Sequence, residues 1–565
     1  MSWWGEEMVK ILQNYIEWVS VTFNYDYQTI EWIKSNIISA YRKYNPDTQT
    51  WLIHKDVLHI LIDYLKVHEI EFTYEISDKV QEAFNMTFDN LVSTPLYNHQ
   101  KQGIQFLHTH KNSIIGDDQG LGKTLEFITF AISLKPTCKH VLIICGVAGN
   151  VWNWKHEIEK HTNEKAYIIG QKKSGNIGAT DDKLVALAKP HDEYFYLTNI
   201  ESLRGGSHKE GRTRVYPIVE AINKLTYSDE IGCICVDECH KVKNPESQIG
   251  RGLLQLKAKR KVMMSGTLVM NNPLDLYVPL RWCNITGDTY YRFKNNYIIY
   301  GGYGGYEVMG YKNQSHLKAL LSPIFLRRTK DEVLDLPEKI YTDEIIQLSS
   351  QQMTGYNHIQ NGLRDDINKL FYSDNPLSMM LHLRMYLDDP STQSLDIKSP
   401  KFERVAELLE NLFEYDNTKV IIYSQWATVT RNMRDYLSDK YKCSYIEGDV
   451  ATDKRMHEID KFQNGETKII IGTIGAMGTG FTLNTATNVI FLDEPWNRAL
   501  KDQAIDRAHR IGTKSTVNVH TLICKDTIDE RIHKLIDDKG KISDDLLAIH
   551  NKKLSNEDIK YLLGL

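Results

Sequence analysis

Short apolar segments recur along the chain, and they restrict its fold more than any other feature. Most are rich in Val and Ile, are bounded by charged residues or Gly, and are separated by enough residues for a helix. Such segments are typical of parallel strands that are buried on both faces of a sheet, as in β-α-β units. They form two groups, one before residue 335 and one after residue 400: Val141–Cys145, Tyr194–Leu197, Cys233–Val236, Val262–Met264, Val420–Tyr423, Ile469–Ile471, Val489–Leu492 and Val517–Ile523.

The two groups predict an α/β protein with two parallel-sheet lobes. A chain of 565 residues is also too long for a single hydrophobic core. We predict a first lobe in 93–338, a helical connector in 339–398 and a second lobe in 399–565.

Residues 1–92 have a different pattern and predict a small α+β module. Ile30, Ile33 and Ile37 follow helical spacing, and Trp51–Ile53 has the composition of a strand. A second helix is expected from the spacing of the apolar residues within Val57–Leu65.

The charge of the chain gives an ambiguous indication about its partners. The net charge is −5, from 68 Lys and Arg against 73 Asp and Glu, which by itself argues weakly against nucleic acid. Residues 1–95 hold 7 basic and 14 acidic residues, a net of −7, so the rest of the chain is nearly neutral at +2. The acidic excess therefore belongs to the N-terminal module.

Neither a membrane segment nor a secretory signal is expected. No apolar stretch approaches about 18 residues, and the first ten residues carry Glu6 and Glu7 without the pattern of a signal peptide. We expect a soluble intracellular protein, in the cytoplasm of a prokaryote or a virus-infected cell, or in a nucleus.

Eight cysteines are present, but they do not form paired CxxC motifs at the spacing of a zinc site. Cys233, Cys235 and Cys239 cluster around an apolar segment, so we interpret them as buried core residues. A metal or redox role is the alternative. The lack of a disulfide pattern fits a reducing compartment.

The segment Asp117–Thr124, DDQGLGKT, has the features of a phosphate-binding loop. Gly120 and Gly122 allow a turn whose N–H groups surround a phosphate, Lys123 reaches the β and γ phosphates, and Thr124 can bind Mg²⁺. Asp117 stands where the generic pattern has its first glycine. A chance match within a loop is the alternative interpretation.

A second motif, Cys233–His240, is an apolar strand that ends in two adjacent carboxylates. Asp237 is expected to hold Mg²⁺, and Glu238 to orient or deprotonate the attacking water. Strands often end in acidic residues, so the motif becomes specific only together with the phosphate-binding loop.

A third motif, Gln503–Gly512, contains Arg507 and Arg510. Residues three apart share a face if the segment is helical, and an arginine that reaches the transferred phosphoryl group accelerates the reaction about 10³–10⁵-fold. A solvated basic surface is the alternative for an isolated pair.

These motifs, in this order, resemble helicase superfamily two, and specifically its SWI/SNF-type ATPases. The family has an Asp at the position of Asp117, and the run Leu326–Lys330 with Leu336 and Pro337 matches its RRTK…LP signature. The residues at four further positions depart from the family pattern, namely Gly146, Leu268, Arg498 and Thr513.

The resemblance implies two RecA-like lobes, ATP and Mg²⁺ as cofactors, and further site residues. It assigns Gln100 to adenine recognition, and Asp117, Gly480 and Gln503 to nucleotide binding. It also implies contacts with DNA, for which the candidates are Trp154, Arg328, Gln425, Thr479 and Trp496. For Trp496, packing beside Pro495 is the alternative.

The motifs divide between the lobes, with Lys123 and Asp237 in the first and the arginine pair in the second. We therefore expect a nucleotide to bridge the lobes only when the cleft between them closes, and hydrolysis to reopen it.

The N-terminal module resembles the HARP domain of HepA-related annealing helicases. The likeness covers Ile33–Trp51, and the segment Gly301–Lys330 is also nearest to that branch. It implies that the module recognises branched DNA or junctions. Arg42, Lys43 and Lys55 would be its basic contacts.

We predict a DNA-dependent ATPase that translocates on double-stranded DNA and remodels or reanneals branched DNA in repair, replication or recombination. The alternatives are a chromatin or protein-displacing remodeller, the motor of a restriction or defence complex, and a scaffold that does not hydrolyse ATP. We expect a monomer with no membrane partner, working with single-strand-binding or other replication and repair proteins.

Overall fold

The computed structural model describes the chain except for residues 1–8, 14–17, 38–40, 46–48, 79, 82–85, 147–148, 174–175, 190, 211–212, 267–272, 302–306, 335, 371–375, 416–417, 449–451, 478–481, 497, 514, 543–561 and 563–565. It divides into an N-terminal unit, Met1–Val333, and a C-terminal unit, Leu334–Leu565.

The N-terminal unit begins with a small module built on a five-stranded sheet of order β3-β4-β2-β1-β5, in which only the β1–β5 pair is parallel. Its elements are β1 (Val9–Gln13), β2 (Trp18–Thr22), α1 (Tyr27–Asn36), β3 (Arg42–Asn45), β4 (Thr50–His54), α2 (Lys55–Val67) and β5 (Phe72–Ile76). The α+β prediction is confirmed. Helix α1 begins because the Asp26 carboxylate accepts hydrogen bonds from the backbone N–H groups of Gln28 and Thr29.

The rest of the N-terminal unit surrounds a seven-stranded sheet of order β16-β6-β13-β12-β7-β9-β8, whose strand pairs are all parallel. Its elements are α3 (Asn98–Thr109), β6 (Asn112–Ile115), α4 (Lys123–Ser133), β7 (His140–Cys145), α5 (Asn150–His161), β8 (Ala166–Ile168), α6 (Thr180–Leu187), β9 (Phe195–Asn199), β10 (His208–Glu210), β11 (Thr213–Val215), α7 (Pro217–Tyr227), β12 (Ile231–Val236), α8 (Gln248–Gln255), β13 (Arg260–Met264), α9 (Tyr277–Trp282), α10 (Tyr290–Tyr297), β14 (Ile298–Gly301), β15 (Glu307–Tyr311), α11 (Gln314–Leu321), β16 (Phe325–Leu326) and α12 (Lys330–Val333).

The C-terminal unit contains a six-stranded sheet of order β17-β22-β21-β18-β20-β19, and its strand pairs are also all parallel. Its elements are β17 (Lys339–Ile346), α13 (Ser350–Leu370), α14 (Pro376–Asp388), α15 (Pro400–Leu412), β18 (Val420–Ser424), α16 (Ala427–Leu437), β19 (Cys443–Ile446), α17 (Thr452–Asn464), β20 (Ile469–Thr473), α18 (Ile474–Met477), β21 (Asn488–Phe491), α19 (Arg498–Ile505), β22 (Val517–Cys524) and α20 (Ile528–Ile542).

Both large sheets are buried on two faces, which explains the continuous apolar segments. Alternate residues of β7 pack into two different cores, Leu142 and Ile144 on one side and Val141 and Ile143 on the other. The prediction of two RecA-like parallel-sheet lobes is confirmed. All eight predicted segments coincide with strands, except that Tyr194 and Leu492 lie one residue outside β9 and β21.

The expected helical connector begins with a strand. β17 pairs along its whole length with β22, and the helices of this segment start only at Ser350. Six of the eight β17 residues are exposed or half-buried, so the strand lacks the apolar signature of the central strands.

Within the described residues, no helix has both the length and the apolar character needed to cross a membrane. Cys233, Cys235 and Cys239 are fully buried, as expected for core residues.

Candidate active site

The phosphate-binding loop joins β6 to α4 and depends on two glycines. Gly120 and Gly122 have φ of 85° and 83°, a left-handed conformation that favours glycine. The loop leads directly into the N-terminus of α4, whose first N–H groups suit an anion. The Nζ of Lys123 donates to the carbonyl oxygens of Asp117 at 2.6 Å and Asp118 at 3.0 Å.

A buried ion cluster holds the beginning of this loop. The Asp117 carboxylate accepts from the backbone N–H of Arg328 at 3.0 Å, from its Nε at 3.0 Å and from its Nη2. Nη2 also contacts both carboxylate oxygens of Glu126 at 3.3 Å, and Nη1 donates to the carbonyl of His99. Burial raises the pKa of Glu126 to about 8, against the effect of Arg328.

This cluster gives Asp117 and Arg328 a different setting from the one the sequence suggested. Both side chains lie in the interior of the N-terminal unit, 0% and 8% exposed. The sequence predicts nucleotide binding for Asp117 and DNA binding for Arg328. In this structure, Arg328 fixes the loop from the segment that follows β16.

Gln100 also supports the loop. Its side chain is buried, and its Nε2 donates to the carbonyls of Leu121 at 3.3 Å and Gly122 at 3.5 Å. The neighbouring His99 contacts the same Leu121 carbonyl through Nε2 at 3.0 Å. The residue expected to recognise adenine thus lies against the loop, with its amide engaged there.

Asp237 lies at the end of β12, where two donors hold its carboxylate. Trp154 Nε1 donates to Oδ2 and the backbone N–H of Glu238 donates to Oδ1, both at 2.9 Å. Burial and the Glu238 carboxylate raise the pKa of Asp237 to about 6. Trp154, a candidate DNA contact, is only 1% exposed and points to this carboxylate.

Glu238 has an unusual backbone and a buried carboxylate oxygen that lacks a hydrogen-bond donor among the described residues. Its φ of 50° and ψ of 48° are left-handed, a conformation that is uncommon for a residue other than glycine. A Cβ on Gly146 would lie 2.5 Å from the Glu238 Cβ, so the departure from the family pattern at position 146 leaves room for this turn. Glu238 Oε2 is buried and accepts no hydrogen bond from the residues that the structure describes.

His240 links this motif to the end of β13. Its Nδ1 lies 3.0 Å from Ser265 Oγ and 3.3 Å from Glu238 Oε2. Burial lowers the pKa of His240. Gly266 lies next to Lys123, since a Cβ there would be 3.3 Å from the Lys123 Nζ.

The residues of the N-terminal unit fit Mg²⁺ and ATP. The glycine-rich loop and the N-terminus of α4 suit phosphate oxygens, Lys123 supplies a positive charge, and Thr124 and Asp237 supply the oxygen ligands that Mg²⁺ prefers. Glu238 Oε2 accepts no hydrogen bond from the described residues, so it suits a water molecule. These groups can bind and hydrolyse a nucleoside triphosphate.

Arg507 and Arg510 lie in the C-terminal unit, but not on a helix. Helix α19 ends at Ile505, and turns follow. The Arg507 carbonyl accepts from Leu483 N–H at 2.9 Å, and Arg510 Nη1 donates to Thr482 Oγ1 at 2.7 Å. The prediction that the two arginines share one face of a helix is therefore wrong. They lie in a turn that is hydrogen-bonded to the segment that follows α18.

Thr513 and Gln503 flank the arginine turn. Thr513 Oγ1 accepts from the backbone N–H of Arg510 at 3.0 Å and donates to the Ala508 carbonyl at 2.7 Å. The residue that departs from the family pattern thus closes the turn. Gln503 lies half-buried on α19. The predicted site residues Thr479 and Gly480 lie outside the described residues.

The remaining DNA candidates surround Asp493 at the end of β21. Gln425 Nε2 donates to Asp493 Oδ1 at 2.7 Å, and Ser424 Oγ donates to Oδ2 at 2.5 Å. Trp496 is half-buried and packs at the edge of the core, and the guanidinium of Arg384 lies 5.1 Å from its ring centre. The packing alternative describes Trp496 in this structure.

Sequence reasoning missed the buried charges that support these segments. Glu126 is one, and Arg384, Asp388 and Lys401 are others, all buried. A charged residue at an apolar position of a helix, such as Arg384 within PLSMMLHLRMYLD, is the signal that could have found them.

Comparison with known families gives two matches in the expected order. Residues 99–392, more than half of the chain, match the SNF2-related domain. Residues 400–512 match the helicase conserved C-terminal domain.

The chain is similar to curated proteins from bacteria and eukaryotes. It is 27% identical to YwqA of Bacillus subtilis over 83% of this chain and 50% of that protein. It is 26% identical to the human DNA annealing helicase and endonuclease ZRANB3, over 87% of this chain and 44% of that protein. It is 27% identical to the DNA repair and recombination protein RAD26 of Saccharomyces cerevisiae, over 78% of this chain and 45% of that protein. The chain thus spans about half the length of these relatives.

Among solved structures, the SWI2/SNF2 ATPase core of Sulfolobus solfataricus in complex with double-stranded DNA is 25% identical. The match covers 85% of this chain and 100% of that one, with a TM-score of 0.37.

Proposed function

The chain belongs to the SNF2-related family of helicase superfamily two, and from that premise we propose that it is an ATP-driven translocase on double-stranded DNA. The observation that supports this most is the set of groups around the phosphate-binding loop. Lys123 lies at the loop that follows β6, and Asp237 and Glu238 follow the buried strand β12, two strands from β6 in the same sheet. The contacts that orient Asp237 are also present, since each of its carboxylate oxygens accepts a hydrogen bond.

We assign the roles as follows. Lys123 would bind the phosphates of ATP, Thr124 and Asp237 would hold Mg²⁺, and Glu238 would orient the attacking water and take its proton. Arg507 and Arg510 stabilise the charge of the transition state. We keep Gln425 and Thr479 as the DNA contacts, since Trp154 and Arg328 are buried and Trp496 packs at the edge of the core.

We further propose that the substrate is branched DNA that the protein remodels or reanneals. Two observations support this. The α+β module precedes the motor, and the human relative is named a DNA annealing helicase. Chromatin remodelling is the competing outcome of the test below.

The test compares ATP hydrolysis by the full chain with linear duplex, forked DNA, single strand, nucleosomes and RNA. We expect both duplex and forked DNA to stimulate hydrolysis, and RNA to have no effect. Preferential stimulation by nucleosomes would favour a remodeller. Equal rates on linear and forked DNA, with no annealing, would remove the branched-DNA role.

Matched variants test the site itself. Lys123→Ala and Glu238→Gln should abolish stimulated hydrolysis, whereas Lys135→Ala and Glu159→Gln, which change surface ion pairs of the same unit, should not. Arg510→Ala should lower turnover by about 10³-fold with little change in nucleotide affinity. Full activity of Lys123→Ala would refute the assignment.

A further inference from the structure

Trp154 lies on α5 but touches two parts of the candidate ATP site. Its ring meets Phe127 of α4 edge-on, with 6.1 Å between ring centroids. Its Nε1 donates to Asp237 Oδ2 at 2.9 Å. The side chain is 1% exposed, so it has no surface to offer to a nucleic acid.

Each oxygen of the Asp237 carboxylate accepts one hydrogen bond, and the two donors come from different segments. Oδ1 accepts from the N–H of Glu238, and Oδ2 accepts from Trp154. A carboxylate has about four lone-pair positions, so two remain for Mg²⁺ or its water ligands. Without the second donor the group could rotate, because the terminal torsion of Asp is broad.

We propose that Trp154 is a positioning residue, whose indole N–H holds the Asp237 carboxylate in the orientation that binds the Mg²⁺ of the bound nucleotide. The inference rests on the proposed function, since it requires a site for Mg²⁺ and ATP. Trp154 itself contacts neither. Donors behind a metal ligand typically change metal affinity about 10–100-fold when they are removed.

The variant Trp154→Phe removes the N–H and keeps an aromatic ring in the core. Trp282→Phe is the matched control, because Trp282 is 2% exposed, lies in the same unit, and its Nε1 donates to the Leu256 carbonyl at 2.9 Å. Trp154→His retains a ring N–H donor in a smaller side chain. Comparing His with Phe therefore separates the donor from the volume, even if both lower stability.

The measurement is binding of a fluorescent ADP analogue to the full chain with and without Mg²⁺. We expect Mg²⁺ to increase the affinity of Trp154→Phe for the ADP analogue about tenfold less than it increases that of wild type. Without Mg²⁺, the two proteins should bind the analogue equally. Trp154→His should recover part of the gain, and Trp282→Phe should keep it.

Three outcomes overturn the inference. Trp154→Phe could keep the full effect of Mg²⁺. Trp154→Phe and Trp282→Phe could lose affinity equally under both conditions, which would indicate packing alone. If Mg²⁺ did not increase the affinity of the wild-type chain, the proposed function would be refuted, and the role of Trp154 with it. The response of wild type to Mg²⁺ therefore distinguishes this outcome from the first two.

Discussion

The guanidinium of Arg328 contacts the buried carboxylates of Asp117 and Glu126, and the backbone of a neighbouring helix packs closely against this cluster. Helix α3 approaches this cluster through Gly103. A Cβ at position 103 would lie 1.5 Å from Glu126 Oε1 and 2.9 Å from Arg328 Nη2. The glycine therefore allows the cluster to form.

Gly103→Ala should lower the free energy of unfolding by about 1–3 kcal/mol, the usual cost of overpacking a core. Gly149→Ala is the control, because no atom of the described part of the chain lies within 4 Å of an added Cβ there. Urea unfolding of both variants measures the difference. Equal stabilities would show that the cluster can move aside.

His108 makes the stability of the N-terminal unit depend on pH. Its Nε2 lies 2.7 Å from Ser133 Oγ, and burial together with the charge of Arg260 lowers the pKa of His108 to about 4. In the unfolded chain the value is near 6.5. Between these values only the unfolded state gains a proton, so stability is lost as the pH falls.

His108→Gln should weaken the fall of unfolding free energy between pH 7 and pH 5. The difference cannot exceed about 1.4 kcal/mol per pH unit. His457→Gln, at a side chain that is 70% exposed, is the control and should follow wild type. Urea unfolding at several pH values gives the unfolding free energy of the three proteins as a function of pH. Parallel curves for all three would contradict a role of His108 in the pH dependence.

At the scale of elements, Lys401 ties three helices together. It lies on α15, and its Nζ contacts Asp388 of α14 at 2.7 Å, Asp529 of α20 at 2.6 Å and the Leu492 carbonyl at 2.7 Å. Burial acts to lower the pKa of Lys401, but the two carboxylates raise it overall. Removing the lysine leaves two buried carboxylates without their cation.

Lys401→Met should destabilise the C-terminal unit by about 3–5 kcal/mol. Adding Asp388→Asn to that variant should restore part of the loss, since it removes one of the stranded charges. Lys398→Met, at a side chain that is 88% exposed, should change little. Thermal unfolding of the four proteins tests this, and a harmless Lys401→Met would mean that the carboxylates take up protons at low cost.

How far the elements could be predicted depended on burial. Central strands such as β7 and β18 are continuous apolar runs because both faces are covered, and the sequence predicts them. The edge strand β17 is largely exposed, and the short strand β8 has only three residues, so neither has that signature.

At the site, sequence patterns located residues but not the directions of their side chains. Trp154 and Arg328 lie in motifs that suggest DNA, yet tertiary contacts turn both inward. The arginine turn could not be foreseen either, since its hydrogen bonds involve Thr482, which lies in another segment, and Thr513.

For the whole molecule, the net charge of −5 limits how DNA can be held. With about as many acidic as basic residues beyond position 95, long-range attraction is weak, and binding must come from local phosphate contacts.

Affinity for duplex DNA should therefore be modest and depend on salt. We expect a loss of about tenfold or more between 50 and 200 mM salt, as about two neutralised phosphates would give. Fluorescence anisotropy with a labelled duplex measures this, and added nucleotide should tighten binding. An affinity that is independent of salt would contradict phosphate contacts.

The Asp117–Arg328 contact also has a consequence for biosynthesis. The partners are 211 residues apart, and a ribosome adds about 5–20 residues per second. The phosphate-binding loop must therefore wait roughly 10–40 s for its anchor. During that interval the nascent chain carries a carboxylate destined for the interior without its cation, so an early encounter with ATP would find an immature loop.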